Sequence, residues 1–99
     1  MARFDLYCRT GGSGYLIDIQ DNLLRDLNTR IVAPLLPFSE APKPAQRLNP
    51  VFEIEGERYT MVTQFLAAVP VAELGRRMGT LIDEDIRIIA AIDTLFSGT

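Results

Sequence analysis

The side chains able to do chemistry in this chain are mainly carboxylates and arginines. Glu53 and Glu55 stand two apart in an alternating stretch, so both fall on one strand face. Asp83, Glu84 and Asp85 are consecutive. Paired carboxylates can split their pKa values and act as acid and base. A solvated strand face and the negatively charged start of a helix explain both groups more simply, since surface charge is far commoner than catalytic charge. The chain has no His and no Trp, and Cys8 is its one cysteine. A Ser-His-Asp or Cys-His triad is therefore excluded, as is a zinc site of the usual Cys/His kind. Neither GxxxxGK[ST] nor GxGxxG occurs. No cofactor and no metal are expected. Cys8 reads as a small buried hydrophobe, and the lack of any possible internal disulfide fits a reducing cytosol.

The totals narrow the field further. Ninety-nine residues make one domain, 1–99. A domain this short buries about two-thirds of its unfolded surface, so pairing with a second copy would help it. Ten Lys and Arg stand against thirteen Asp and Glu, a net charge of −3. That balance speaks against direct binding of nucleic acid. All the basic residues but Lys43 are Arg, which suits planar, bidentate contacts. The apolar runs 31–38 and 65–72 are shorter than the roughly 18 residues of a membrane span, and each contains Pro. Asp5 and Arg9 interrupt any early apolar run, so no secretory signal is expected. A cytoplasmic protein that does not engage membranes follows as the expectation.

The elements that must carry these residues are mostly strands. Phe4, Leu6 and Cys8 alternate with charged neighbours, and Tyr15, Ile17 and Ile19 alternate again after Gly11-Gly12-Ser13-Gly14. This predicts a hairpin. Leu23, Leu24 and Leu27 suggest one short amphipathic turn. Residues 30–36 form a strand that Pro34 should bulge or place at an edge. Four prolines in 37–50 predict an extended surface loop, with Phe38 in it. Residues 51–63 form the clearest hairpin. A Gly56-Glu57 loop would pair Glu55 with Arg58, Ile54 with Tyr59 and Phe52 with Met61; the alternative that sets Ile54 against Glu57 is less favourable. Residues 65–71 add a further strand. Gly79-Thr80 opens a helix whose stripe Ile82, Ile86, Ile89, Ile92 and Phe96 should face the core, with Gly98 at its stop. The expected fold is mostly β: a small twisted antiparallel sheet or barrel of five or more strands closed by a C-terminal helix.

From Arg30-Ile31-Val32-Ala33-Pro34-Leu35 onward the sequence resembles the CcdB family. The likeness runs through Asn49-Pro50-Val51-Phe52-Glu53-Ile54, Tyr59-Thr60-Met61-Val62-Thr63, Val69-Pro70-Val71 and Leu74-Gly75 to 91–98, with Phe4-Asp5-Leu6-Tyr7 and Ile17-Asp18-Ile19-Gln20 upstream. The order and spacing of these segments carry the resemblance. It implies an SH3-like barrel with a C-terminal helix and a homodimer. The implied role is that of a plasmid-maintenance toxin, not an enzyme, which binds the A subunit of DNA gyrase and traps it on cleaved DNA. A CcdA-like antitoxin would neutralise it.

The resemblance also assigns residues. Gyrase contacts would fall on Leu23 and Leu24, on Asp93 and Phe96, and on Ser97, Gly98 and Thr99, where the family commonly ends Trp-Gly-Ile. Only Gly98 agrees there, and Asp93 puts a charge where an amide is expected. The antitoxin would meet Arg9, Thr10 and Gly14 in the Arg9–Gly14 loop, together with the 37–50 loop. Two alternatives remain. The same barrel serves MazF-like endoribonuclease toxins, and Arg58 and Thr60 offer the guanidinium and hydroxyl such cleavage uses. An inactive homologue acting through antitoxin binding is the other.

Overall fold

Alternation in the sequence becomes a curled, antiparallel half-barrel. The computed structural model describes residues 1–98. Its strands are β1 (Asp5–Cys8), β2 (Tyr15–Asp18), β3 (Thr29–Pro37), β4 (Val51–Ile54), β5 (Glu57–Met61), β6 (Ala67–Pro70) and β7 (Arg77–Thr80). The helix α1 (Asp85–Ser97) follows. The sheet runs β4-β5-β3-β2-β1-β7, and β6 also pairs with β3. This is the mostly β architecture with a C-terminal helix that the sequence predicts.

Strand β3 is the spine. Its inner flank pairs with β2 from Val32 to Leu35, while its other flank is shared, by β6 over Thr29–Val32 and by β5 over Leu35–Pro37. Pro34 sits at the junction of β5 and β6. Its carbonyl accepts from Val62 N–H at 2.9 Å, so its missing N–H points at the same gap and no ladder bond to β2 is lost. A proline expected at an edge or bulge thus lies in a central strand, because the edge is local to one flank.

The β4–β5 hairpin corrects its expected register. Ile54 faces Glu57, Glu53 faces Arg58 and Phe52 faces Tyr59, around a Glu55-Gly56 loop. Both loop residues have positive φ, 51° and 81°. That is the type I′ geometry whose twist matches the strands, and glycine serves its second position. The observed and expected registers differ by two residues. Side chains therefore keep their faces, and the turn decides.

The core gathers Phe4, Leu6, Ile17, Ile19, Ala33, Leu35, Phe52 and Met61 from the sheet with Ile88 and Ala91 from α1. This corrects the expected helix stripe. Ile82, Ile86, Ile89 and Phe96 are exposed, and of that stripe only Ile92 packs on the core. The helix is apolar on two sides, so periodicity alone fits either face. Thr80 also lies in β7 rather than at the helix start; its hydroxyl accepts from Ile82 N–H at 3.1 Å and caps the 3-10 turn Ile82–Glu84. Gly98 is the left-handed C-cap, with its N–H bonded to the Thr94 carbonyl.

Two more expectations change. Cys8 is exposed, at the end of β1, with its side chain on the solvent side although its backbone is still bonded to the Arg76 carbonyl. Asp5 and Tyr7, on the other face of β1, are buried, because β7 pairs with β1 and Arg77 closes on Asp5 at 3.1 Å. Among the described residues no helix is long and apolar enough to cross a membrane.

Candidate functional site

Two surfaces present apolar side chains on polar scaffolds. The first is the β2–β3 connection. Here Asp21 accepts the Leu23 N–H at 2.9 Å and starts the 3-10 turn Asn22–Leu24. Gln20 anchors the turn from beneath. Its Nε2 donates to the Leu24 carbonyl at 2.8 Å, its Oε1 accepts from Ile31 N–H at 3.0 Å, and its own N–H donates to Asp18 Oδ1 at 3.0 Å. Asn22 Oδ1 accepts from Arg3 N–H at 2.8 Å. The turn is thus held to the sheet by polar bonds while its leucines face outward. Leu23 is 91% exposed, and Leu24 and Leu27 are about half exposed.

Below Gln20 lies an ion pair the sequence reading did not single out. Arg30 Nε donates to Asp18 Oδ2 at 2.8 Å, and Nη2 lies 2.7 Å from the same oxygen. Both side chains are fully buried. Burial pushes the Asp18 carboxyl above the usual carboxylate range, against the pull of the Gln20 N–H and Arg30. The Tyr7 hydroxyl and Arg30 Nη1 are buried without a hydrogen-bond partner, while Nη2 has its ion contact with Asp18. The signal was present: Asp18 and Arg30 are opposite charges inside two neighbouring predicted strands.

The second surface is the end of α1. Asp93, Phe96, Ser97 and Gly98 lie together there, and Phe96 is 68% exposed. Thr99 lies outside the described residues. Leu23 and Leu24 are carried separately, by the β2–β3 turn.

The loops expected to meet an antitoxin are joined. Ser13 Oγ donates to the Glu40 carboxylate at 3.1 Å, tying the Arg9–Gly14 turn to the loop after β3. Arg9 Nη1 donates to the Ser13 carbonyl at 3.0 Å, and Thr10 is exposed. Gly14 has φ +97°, and a Cβ there would meet the Leu35 carbonyl at 2.1 Å. Only glycine fits this approach. Phe38, at the start of the second loop, lies under the Arg58 guanidinium, 4.0 Å from its ring centroid.

The residues that might have done chemistry are dispersed. Glu53 is an exposed strand residue opposite Arg58, and Glu55 occupies the hairpin turn. Asp83 and Glu84 lie in the 3-10 turn before α1, and Glu84 is 3.5 Å from Arg87. Arg58 stacks on Phe38 while the Thr60 hydroxyl is buried without a partner, so those two do not form an open pair.

The fold has solved counterparts. An endoribonuclease from a mycobacterial species, solved in complex with its cognate antitoxin, superposes with a TM-score of 0.74 at 15% identity, over 95% of this chain and 92% of that one. The toxin MazF-mt6 of Mycobacterium tuberculosis superposes with the same score at 16% identity, over 95% and 96%. At such identities the likeness is one of fold. It nonetheless corrects the expectation that the chain is not an enzyme, because this half-barrel is one that a named endoribonuclease also has. The class defined is that of small half-barrel toxins of toxin–antitoxin pairs. Within it, the CcdB protein family model matches residues 3–98, and the chain belongs to the CcdB family.

Proposed function

We infer that this toxin acts on the A subunit of DNA gyrase, trapping the enzyme on cleaved DNA, and that a CcdA-like antitoxin restrains it. Family membership supports the reading. The observation that carries it is the exposure of Leu23, Leu24 and Phe96, large apolar side chains that the fold holds outward on bonded scaffolds. Such side chains serve as interface anchors. Asp93, Ser97, Gly98 and Thr99 complete the helix-end contact, and Ser97 supplies less apolar area than the Trp common in the family. The antitoxin contact is assigned to Arg9, Thr10 and Gly14 with the loop that Ser13 ties to them. The chain acts as one domain and as a homodimer in the cytoplasm.

The test is calorimetry of the purified protein with gyrase A subunit from its own host, with Gly98→Glu as the control. Binding that the variant abolishes places the contact at the helix end. No binding at tens of micromolar by folded protein ends the gyrase reading. The fold likeness favours one second reading, an endoribonuclease. Incubation with RNA alone separates the two, since a ribonuclease needs no topoisomerase.

A further inference from the structure

The loop that leads into β4 presents one charged side chain that the fold itself does not use. Asn49 ties this loop down. Its Oδ1 accepts from Ala45 N–H at 3.0 Å, its Nδ2 donates to the Met61 carbonyl at 3.1 Å and to Gln64 Oε1 at 2.8 Å, and its own N–H donates to the Ala45 carbonyl at 3.0 Å. The Thr63 hydroxyl donates to the Leu48 carbonyl. Between these anchors Arg47 is held at φ 68°, a left-handed conformation unfavourable for a residue with a Cβ. Among the described residues its guanidinium has no hydrogen bond and no ion pair. Across a cleft of about 220 Å³ stands Arg87 on α1, with Pro50 and Ala90 as apolar walls. Arg87 is fixed in place. Its guanidinium lies 4.7 Å from the Phe52 ring centroid, donates to the Val51 carbonyl at 2.9 Å and stands 3.5 Å from Glu84. Two guanidiniums thus line the cleft against one carboxylate, in a chain whose net charge is −3.

We propose that this cleft receives an aspartate or glutamate side chain of the antitoxin, clamped between Arg47 and Arg87. The proposal rests on the antitoxin reading above, which already gives the 37–50 loop to that partner. Chemistry selects a carboxylate. A guanidinium meets a carboxylate through two parallel N–H bonds, and Arg47 has all its donors spare. The Pro50 and Ala90 walls suit the apolar stem of an acidic side chain. Charge argues against nucleic acid. One carboxylate is enough to neutralise the excess positive charge of the cleft, whereas a phosphate backbone would also meet Glu84 and the acidic balance of the chain. Anchoring accounts for the held backbone of Arg47. A loop fixed beforehand loses little freedom on binding, and strained residues of this kind recur where ligands are clamped.

The experiment is calorimetry of the intact protein with the CcdA-like antitoxin of its own host. It compares the wild type with Arg47→Gly, Arg87→Gln and, as an exposed arginine on the β2–β3 turn, Arg25→Gln. Urea unfolding checks the folding of each. Glycine suits the left-handed position, so Arg47→Gly removes the charge without loss of stability. It should weaken binding at least tenfold and make binding less sensitive to salt, as should Arg87→Gln, while Arg25→Gln binds normally. Exchanging each Asp and Glu of the antitoxin for its amide in turn should find one whose effect does not add to that of Arg47→Gly. Wild-type affinity in Arg47→Gly, or no acidic residue coupled to it, overturns the cleft and leaves the antitoxin reading standing. No binding by the wild type overturns both. A short RNA whose binding Arg47→Gly abolishes puts phosphate in the cleft and overturns the proposal.

Discussion

The most consequential single residue is Arg30. Its guanidinium is buried on Asp18, and Asp18 in turn holds the Gln20 N–H. Removing one member of a buried pair strands the other charge, which costs about 3–5 kcal/mol. Arg30→Met should therefore destabilise the chain by roughly that amount. Adding Asp18→Leu should restore most of the loss, because an apolar pair leaves no orphan charge. Urea unfolding of the wild type and the two variants measures both changes; a loss below about 1 kcal/mol for the single variant would contradict the burial, since surface pairs are worth that little. Both residues stand in stretches legible as strands from the sequence. Their mutual burial was not legible, because it depends on β2 and β3 lying side by side and on β6 covering the start of β3.

Elements were legible where a pattern has one reading and not where it has two. The strands β1 and β2 and their Gly-rich hairpin follow from alternation. The strand β7 carries Gly79 and has no alternating apolar set, so pairing with β1 alone defines it. The helix offers two apolar sides, and the sheet chose Ile88 and Ala91. In the β4–β5 hairpin, cross-strand matching pointed to one register and the turn imposed another. Glu55 holds a left-handed conformation that Asn adopts more readily. Glu55→Asn should raise stability by about 0.5–1 kcal/mol, the scale of other changes that remove a backbone mismatch. Thermal unfolding checks it, and a loss of stability would show that Glu55 makes a contact more valuable than the turn geometry.

At the scale of the whole molecule, stability should respond to alkali. Burial and the neighbouring Glu57 carboxylate hold the Tyr59 hydroxyl up to about 12, and burial raises Tyr7 as well. An unfolded tyrosine ionises near 10. Between those values the folded chain keeps more protons than the unfolded one, so stability falls as pH rises through that window. Tyr59→Phe should flatten the fall, as read by urea unfolding at a series of alkaline pH values; an unchanged slope would remove Tyr59 as its source. The same long-range architecture has a consequence for the protein's birth. Strand β1, the first made, pairs with β7, the last, and the helix that bears Phe96 comes after both. Contacts so distant in sequence form late. The helix can therefore seat only once the sheet that receives it has closed, so the surface that bears Phe96 is among the last parts of the fold to take its place.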